Sequence, residues 1–168
     1  MQANTPLPQV SFRPVKDTDH DFLLGLYAST RAWEREAANW TDADWQDFIS
    51  RQFKAQDMSY KMSFPGASFT VIQMGDTAIG RLYVERQDDC LRIIEFTLAP
   101  AWQRRGIGTD ILRALMNEAH GGKVPVRLSV QKNSPAITLY QRHGFVPVED
   151  MNSHIAMEWT PATGPREI

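Results

Sequence analysis

In the segment QRRGIGTDIL, Gln103 to Leu112, two glycines and two arginines stand where a helix begins. The first turn of a helix leaves backbone N–H groups without partners and carries the positive end of the helix dipole. Gly106 and Gly108 have no side chains to hold a ligand off those amides, and Arg104 and Arg105 add positive charge. The stretch reads as a seat for a phosphate-bearing ligand. A dinucleotide fingerprint, G-x-G-x-x-G, would need glycine where Ile111 stands, and a Walker A loop would need a Gly-Lys-Ser/Thr that does not follow. On the glycines alone, a tight strand-to-helix turn that uses them for backbone freedom stays open as a second reading.

A second group with chemical potential is Glu95, an acid in the otherwise apolar run LRIIEFTLAP. A buried carboxylate is costly unless it is paired or useful. Its structural reading is an ion pair with an arginine such as Arg81 or Arg127. Arg81 and Tyr83 alternate along one strand and share a face. If that face is concave they line a pocket together with Arg31, Trp33 and Glu34; otherwise they are surface charge and core packing. Tyr140 follows Ala136 by four residues, so both point the same way on a helix. The four histidines, His20, His120, His143 and His154, have no ligand spacing, and no metal is expected. Cys90 is the lone cysteine, with no base in view to make it a nucleophile.

These residues need elements to hold them. Val10 to Val15 leans to strand, with Val10, Phe12 and Pro14 on one face. Asp17 or Thr18 caps a helix through about Ala28, and Thr41 caps a second, DADWQDFISRQF. STRAWEREAANW between them reads equally as helix or loop. SFTVIQM, Gly75-Asp76 and TAIGRLYVERQ form a β-hairpin, and Asp88-Asp89 turns into the strand holding Glu95, which is expected to be central and covered on both faces. After the glycines, Ile107, Ile111, Leu112, Leu115, Met116 and Ala119 mark a helix stopped by Gly121-Gly122. VPVRLSV is another buried strand, Ser134-Pro135 opens a short helix ended by Gly144, and FVPVE and HIAMEW are the last two strands. The order β-α-α-β-β-β-α-β-α-β-β predicts an α/β fold with a central mixed sheet flanked by helices. Met1 to Pro8 and Thr160 to Ile168 read as loose tails on a single domain.

The bulk numbers set limits. A chain of 168 residues builds one domain with a real core, and a net charge of −2 gives no case for nucleic acid or an anionic membrane. No apolar run approaches the ~20 residues of a membrane span, and MQANTPLPQV lacks the pattern of a signal peptide. A reducing, cytoplasmic setting is the default.

Taken in order, Leu98-Ala99-Pro100, the Q-x-x-G-x-G of Gln103 to Gly108, an amphipathic helix, a strand, then Asn133, Ala136, Leu139-Tyr140 and Gly144-Phe145 resemble the GNAT superfamily of acyl-CoA-dependent N-acyltransferases. The motif core covers Leu91 to Val148. The resemblance implies acetyl-CoA as co-substrate, with its pyrophosphate on the backbone of Arg104, Arg105, Gly106, Ile107, Gly108 and Thr109 behind Gln103. It implies that Phe96, Thr97 and Leu98 pair with the pantetheine arm like an added strand, and that Asn133 and Ala136 border that arm. Tyr140 would direct its hydroxyl at the thioester sulfur. Glu95 would lie near the acceptor amine as a direct or water-mediated base. The activity implied is transfer of an acyl group, acetyl first, to a primary amine of a small molecule or peptide. The alternative is a non-catalytic acyl-CoA-binding sensor on the same fold. The acceptor's identity and the oligomeric state, a homodimer included, are left open.

Overall fold

The structure is a computed structural model that describes residues 9–162. The expected tail Met1 to Pro8 lies outside the described residues, as does the other tail beyond residue 162.

Seven strands form one mixed sheet in the order β1-β2-β3-β4-β5-β7-β6. The strands are β1 (Val10–Pro14), β2 (Ser68–Met74), β3 (Thr77–Arg86), β4 (Leu91–Leu98), β5 (Val126–Gln131), β6 (Val146–Met151) and β7 (His154–Trp159). Five α-helices accompany them: α1 (His20–Thr30), α2 (Ala32–Ala37), α3 (Asp42–Ser63), α4 (Ile107–Gly121) and α5 (Ala136–Arg142). The chain divides into two compact units, one of residues 9–83 with Glu95–Gln103, the other of Val84–Ile94 with residues 104–162. The boundary falls within β3 and within β4.

In the first unit, β1 runs antiparallel to β2 from Val10 opposite Met74 to Pro14 opposite Thr70. The expected apolar face of β1 is not an inward one: Phe12 is 47% exposed, and Arg13 bonds to Asp19 instead. A short 3-10 turn, Asp17–Asp19, precedes α1, so the helix starts later than its sequence suggests. Thr41 does cap α3, accepting from the Asp44 amide at 3.1 Å. That helix runs on past Phe53 to Ser63, because nothing breaks it before Phe64-Pro65-Gly66. The ambiguous stretch forms the short α2, which has no buried residue. Leu23, Tyr27, Trp45, Ile49 and Phe53 make this unit's helical core.

In the second unit, β4 pairs in parallel with β5 from Leu91 opposite Val126 to Ile93 opposite Leu128. β5 is buried on one face only: Val126, Leu128 and Val130 are inside while Ser129 is exposed. The reading of a buried strand is corrected there, since Arg127, Ser129 and Gln131 alternate with the buried residues and give the strand a polar face. β4 is the middle strand of the seven, as expected, and has no exposed residue; Leu91, Ile93 and Leu98 are buried and Ile94 to Thr97 half-buried. α4 buries Ile107, Ile111, Leu112, Leu115 and Ala119. It stops at Gly121 with Gly122 (φ −81°) as its C-cap, at the expected glycine pair, and the left-handed residue after it is Lys123 (φ 56°). Gly144, at φ 89°, ends α5 as expected.

Candidate active site

Glu95 is the centre of a polar cluster in the first unit. Its carboxylate accepts the Tyr60 hydroxyl on Oε2 at 2.8 Å and the Thr97 hydroxyl on Oε1 at 2.7 Å. The Arg81 guanidinium stands 3.4 Å from Oε2 and donates to Gln56 Oε1 at 2.9 Å. Arg81 is 1% exposed, and its Nε has no partner among the described residues. The expected arginine partner of Glu95 is therefore Arg81; Arg127 belongs to Glu158, at 2.8 Å.

Aromatic rings enclose this arginine, with the centroids of Tyr83 and Phe53 5.2 and 5.9 Å from its guanidinium carbon. Burial would lower the Arg81 pKa, but the charge of Glu95 and the neighbouring Tyr83 outweigh it, and the pKa is raised. Burial, then the charge and hydrogen bond of Glu95, push the Tyr60 phenol far above its ordinary value. Burial also raises Tyr83, against the opposing charge of Arg81. At neutral pH the cluster thus holds a charged guanidinium and two protonated phenols, one of which donates to Glu95.

The other residues expected at an acceptor pocket lie further off. Arg31 and Glu34 bond to each other at 2.7 Å, and Trp33 is 50% exposed. Arg31 sits over the Tyr27 ring at 5.3 Å, Tyr27 meets Phe53 at 5.7 Å, and Phe53 meets Arg81. Tyr27 and Phe53 thus link the two groups. Arg81 and Tyr83 are covered side chains rather than an open wall.

The end of β4 has its own geometry. A Cβ on Gly80 would lie 2.3 Å from the Thr97 carbonyl oxygen, so β3 and β4 approach here as only glycine permits. The Ala99 amide bonds to Ile79 O at 2.7 Å, and the Gln103 side chain donates to Leu98 O at 2.9 Å. Gln103 thus ties the loop to the strand, and of the three strand residues expected at a pantetheine arm, Leu98 already has its carbonyl occupied. Phe96 and Thr97 are half-buried.

The glycine loop opens α4 in the second unit. Arg104 and Gly106 both have left-handed backbones, φ 60° and 83°. The first helical bond runs from the Asp110 amide to Gly106 O at 3.0 Å, so the amides of Ile107, Gly108 and Thr109 precede the helical ladder. Nothing lies within 4 Å of a Cβ position on Gly106. Ile107 sends its side chain into the core, leaving its amide to the turn, while Arg104 and Arg105 are exposed. Open space beside unladdered amides fits a pyrophosphate. Tyr140, in the same unit, is 6% exposed, with its ring 5.5 Å from that of Phe145. Asn133 is exposed in the β5–α5 turn, where Ser134 caps the Ala136 amide at 3.2 Å, and Ala136 is half-buried. Among the described residues no three His, Cys, Asp or Glu side chains gather as a metal site, and no helix is long and apolar enough to cross a membrane.

Tyr60 and Gln56 escape sequence reading. Both lie in the half of α3 beyond the obvious apolar stripe, and Tyr60 is 35 residues from its partner.

Residues 65–147 match the family model of the GNAT acetyltransferase domain. Over that span, from before β2 to the start of β6, the chain belongs to the GNAT acetyltransferases. Such enzymes draw their acetyl group from acetyl-CoA. The fold is shared with the PaiA N-acetyltransferase of Thermoplasma acidophilum in complex with coenzyme A, at TM-score 0.65 and 18% identity over 90% of this chain and 99% of that one. It is shared with the ribosomal-protein-S18-alanine N-acetyltransferase of Escherichia coli, at TM-score 0.58 and 16% identity over 95% and 99% of the two chains. It is also shared with Arabidopsis thaliana Naa50 in complex with the bisubstrate analogue CoA-Ac-MVNAL, at TM-score 0.55 and 15% identity over 90% and 98%. No curated protein matches the chain in sequence.

Proposed function

We propose that the chain transfers an acetyl group from acetyl-CoA to a primary amine of a small molecule or peptide by direct attack. The observation that carries the reading is the left-handed turn at Arg104 and Gly106, with open space at the Gly106 side-chain position, just before the first amides of α4 and within the span the family matches. Those amides hold the two phosphates, with dipole attraction of ~0.3–1 kcal/mol per charge when exposed and up to ~2 when partly buried. Acetyl-CoA supplies the acetyl group as an activated thioester.

The chain's own residues do the rest. Glu95 takes a proton from the acceptor ammonium, so that the nitrogen lone pair is free to form the new N–C bond. Tyr140 gives its phenolic proton to the sulfur as the C–S bond breaks, since a phenol of ordinary pKa ~10 is protonated at neutral pH. Asn133 and Ala136 border the arm of the donor, and Phe96 and Thr97 offer it backbone partners. Cys90, buried and unbridged, suits a reducing cytoplasm.

The test is a panel of polyamines, amino acids and peptides with free N-termini, assayed for release of free CoA from acetyl-CoA. Release that depends on an amine supports the reading; acetyl-CoA bound no more tightly than NAD, with no release, defeats it.

A further inference from the structure

We propose that Tyr60 and Arg81 are positioning residues for acyl transfer, acting through Glu95. They engage Oε2 and leave Oε1, on the Thr97 side, as the oxygen that meets the acceptor amine. The inference rests on the reading of Glu95 as the group that takes the amine proton.

A carboxylate has about four lone-pair positions, two on each oxygen. On Oε2, Tyr60 donates at 2.8 Å and the Arg81 guanidinium stands at 3.4 Å. On Oε1 the Thr97 hydroxyl donates at 2.7 Å, which leaves the other lone pair of that oxygen for a substrate N–H. The Glu95 side chain retains 17% of its exposure while that of Arg81 retains 2%, so Glu95 is the more accessible member of the pair.

Arg81 is itself fixed. Gln56 takes one of its N–H groups, and the rings of Phe53 and Tyr83 lie against it. A buried cation with an unpartnered Nε is expensive to keep. Simple packing would be better served by an apolar side chain of similar volume. Its return is a fixed positive charge beside Glu95, and Tyr60 supplies the directional contact. Tyr60 comes from α3 and Arg81 from β3, so two elements hold the carboxylate of a third. The titratable or charged groups facing Glu95 are therefore Tyr60 from α3 and Arg81 and Tyr83 from β3, with Tyr27 of α1 more distant.

Tyr60→Phe removes one oxygen and keeps the ring, so it is the variant that tests the inference. The assay is acetyl transfer from acetyl-CoA to the best amine of the panel, beside Glu95→Gln and the double variant Tyr60→Phe/Glu95→Gln. We expect Tyr60→Phe to lower kcat roughly tenfold and to leave acetyl-CoA affinity within about twofold, since the hydroxyl that fixes the carboxylate is lost and the donor seat is not. General-base loss costs about 10²–10⁴, and the double variant should match Glu95→Gln alone. A wild-type kcat in Tyr60→Phe, with Glu95→Gln impaired, overturns the inference and spares the base. A Tyr60→Phe deficit of equal size in the Glu95→Gln background also overturns it, because Tyr60 would then act elsewhere. A Glu95→Gln variant as active as wild type overturns the base reading, and the inference with it.

Discussion

The α-carbon of Gly80 packs so closely on Thr97 that a Cβ there would fall 2.3 Å from the Thr97 carbonyl oxygen and 3.1 Å from Leu98 Cα. Both contacts are backbone and cannot swing aside. The end of β4, two residues beyond Glu95, thus packs this closely on β3 only because β3 carries glycine at residue 80. Gly80→Ala should cost about 1–3 kcal/mol, the range for overpacking, read as a lower urea midpoint. It should also displace Thr97, and with it one of the two hydroxyls on Glu95. A variant of wild-type stability would show that the strands part without penalty.

Gly108→Val tests the seat. A branched side chain in the first turn of α4 would shield the amides that precede the helical bond to Asp110. CoA affinity measured by calorimetry should fall at least about tenfold, since the loss of charge-assisted hydrogen bonds of ~1.5–3 kcal/mol each corresponds to that much. The circular dichroism spectrum should stay that of wild type. Unchanged affinity would put the phosphates elsewhere.

Much of this was legible in the residues themselves. Gly75-Asp76 announced the β2–β3 hairpin, and Gly75 adopts φ 59°. Thr41 and Ser134 announced helix starts by side chains that do accept the expected amides. Glu95 stood out because an acid in an apolar strand demands a partner, and Arg81 on the neighbouring strand was in view. What stayed hidden depended on distance in the chain. Tyr60 lies in a stretch of α3 where Met58 and Met62 are exposed by 54% and 79%, so no apolar period marked the face that turns inward. β1 misled for the opposite reason: Val-x-Phe-x-Pro alternates as an inward face would, yet Phe12 is exposed and Arg13 is the residue that turns to a buried partner, Asp19.

That bond carries a pH prediction. Asp19 is 6% exposed, accepts Arg13 at 2.7 and 2.8 Å and the Lys16 amide at 2.7 Å. The Arg13 hydrogen bond, working against burial and with help from the Lys16 amide, lowers its pKa to about 2. A carboxylate depressed below its unfolded value of ~3.9 contributes stability above that pH and loses it as pH falls toward the folded value. Asp19→Asn should therefore cost about 2 kcal/mol at pH 7, and the gap from wild type should shrink to about half by pH 3. Urea midpoints at the two pH values decide it; a gap that does not narrow would deny the ionised pair its role.

Tyr140→Phe removes a single hydroxyl from a buried ring, so the fold and most of the CoA affinity should survive. The chemical step should slow roughly tenfold or more, within the ~10²–10⁴ available to a general acid. Single-turnover transfer separates chemistry from binding. An unchanged rate constant would make Tyr140 a packing residue, and lost affinity with normal chemistry would make it a contact for the donor.

The most direct measurement follows the acetyl group itself. The protein is mixed with acetyl-CoA labelled in the acetyl group and the amine panel, and the products are separated by mass. The account predicts the label on a primary amine nitrogen, with one free CoA released for each acetyl transferred. Tight binding of acetyl-CoA with no labelled amine across the panel would contradict it, and would mark the chain as an acyl-CoA-binding module that does no transfer.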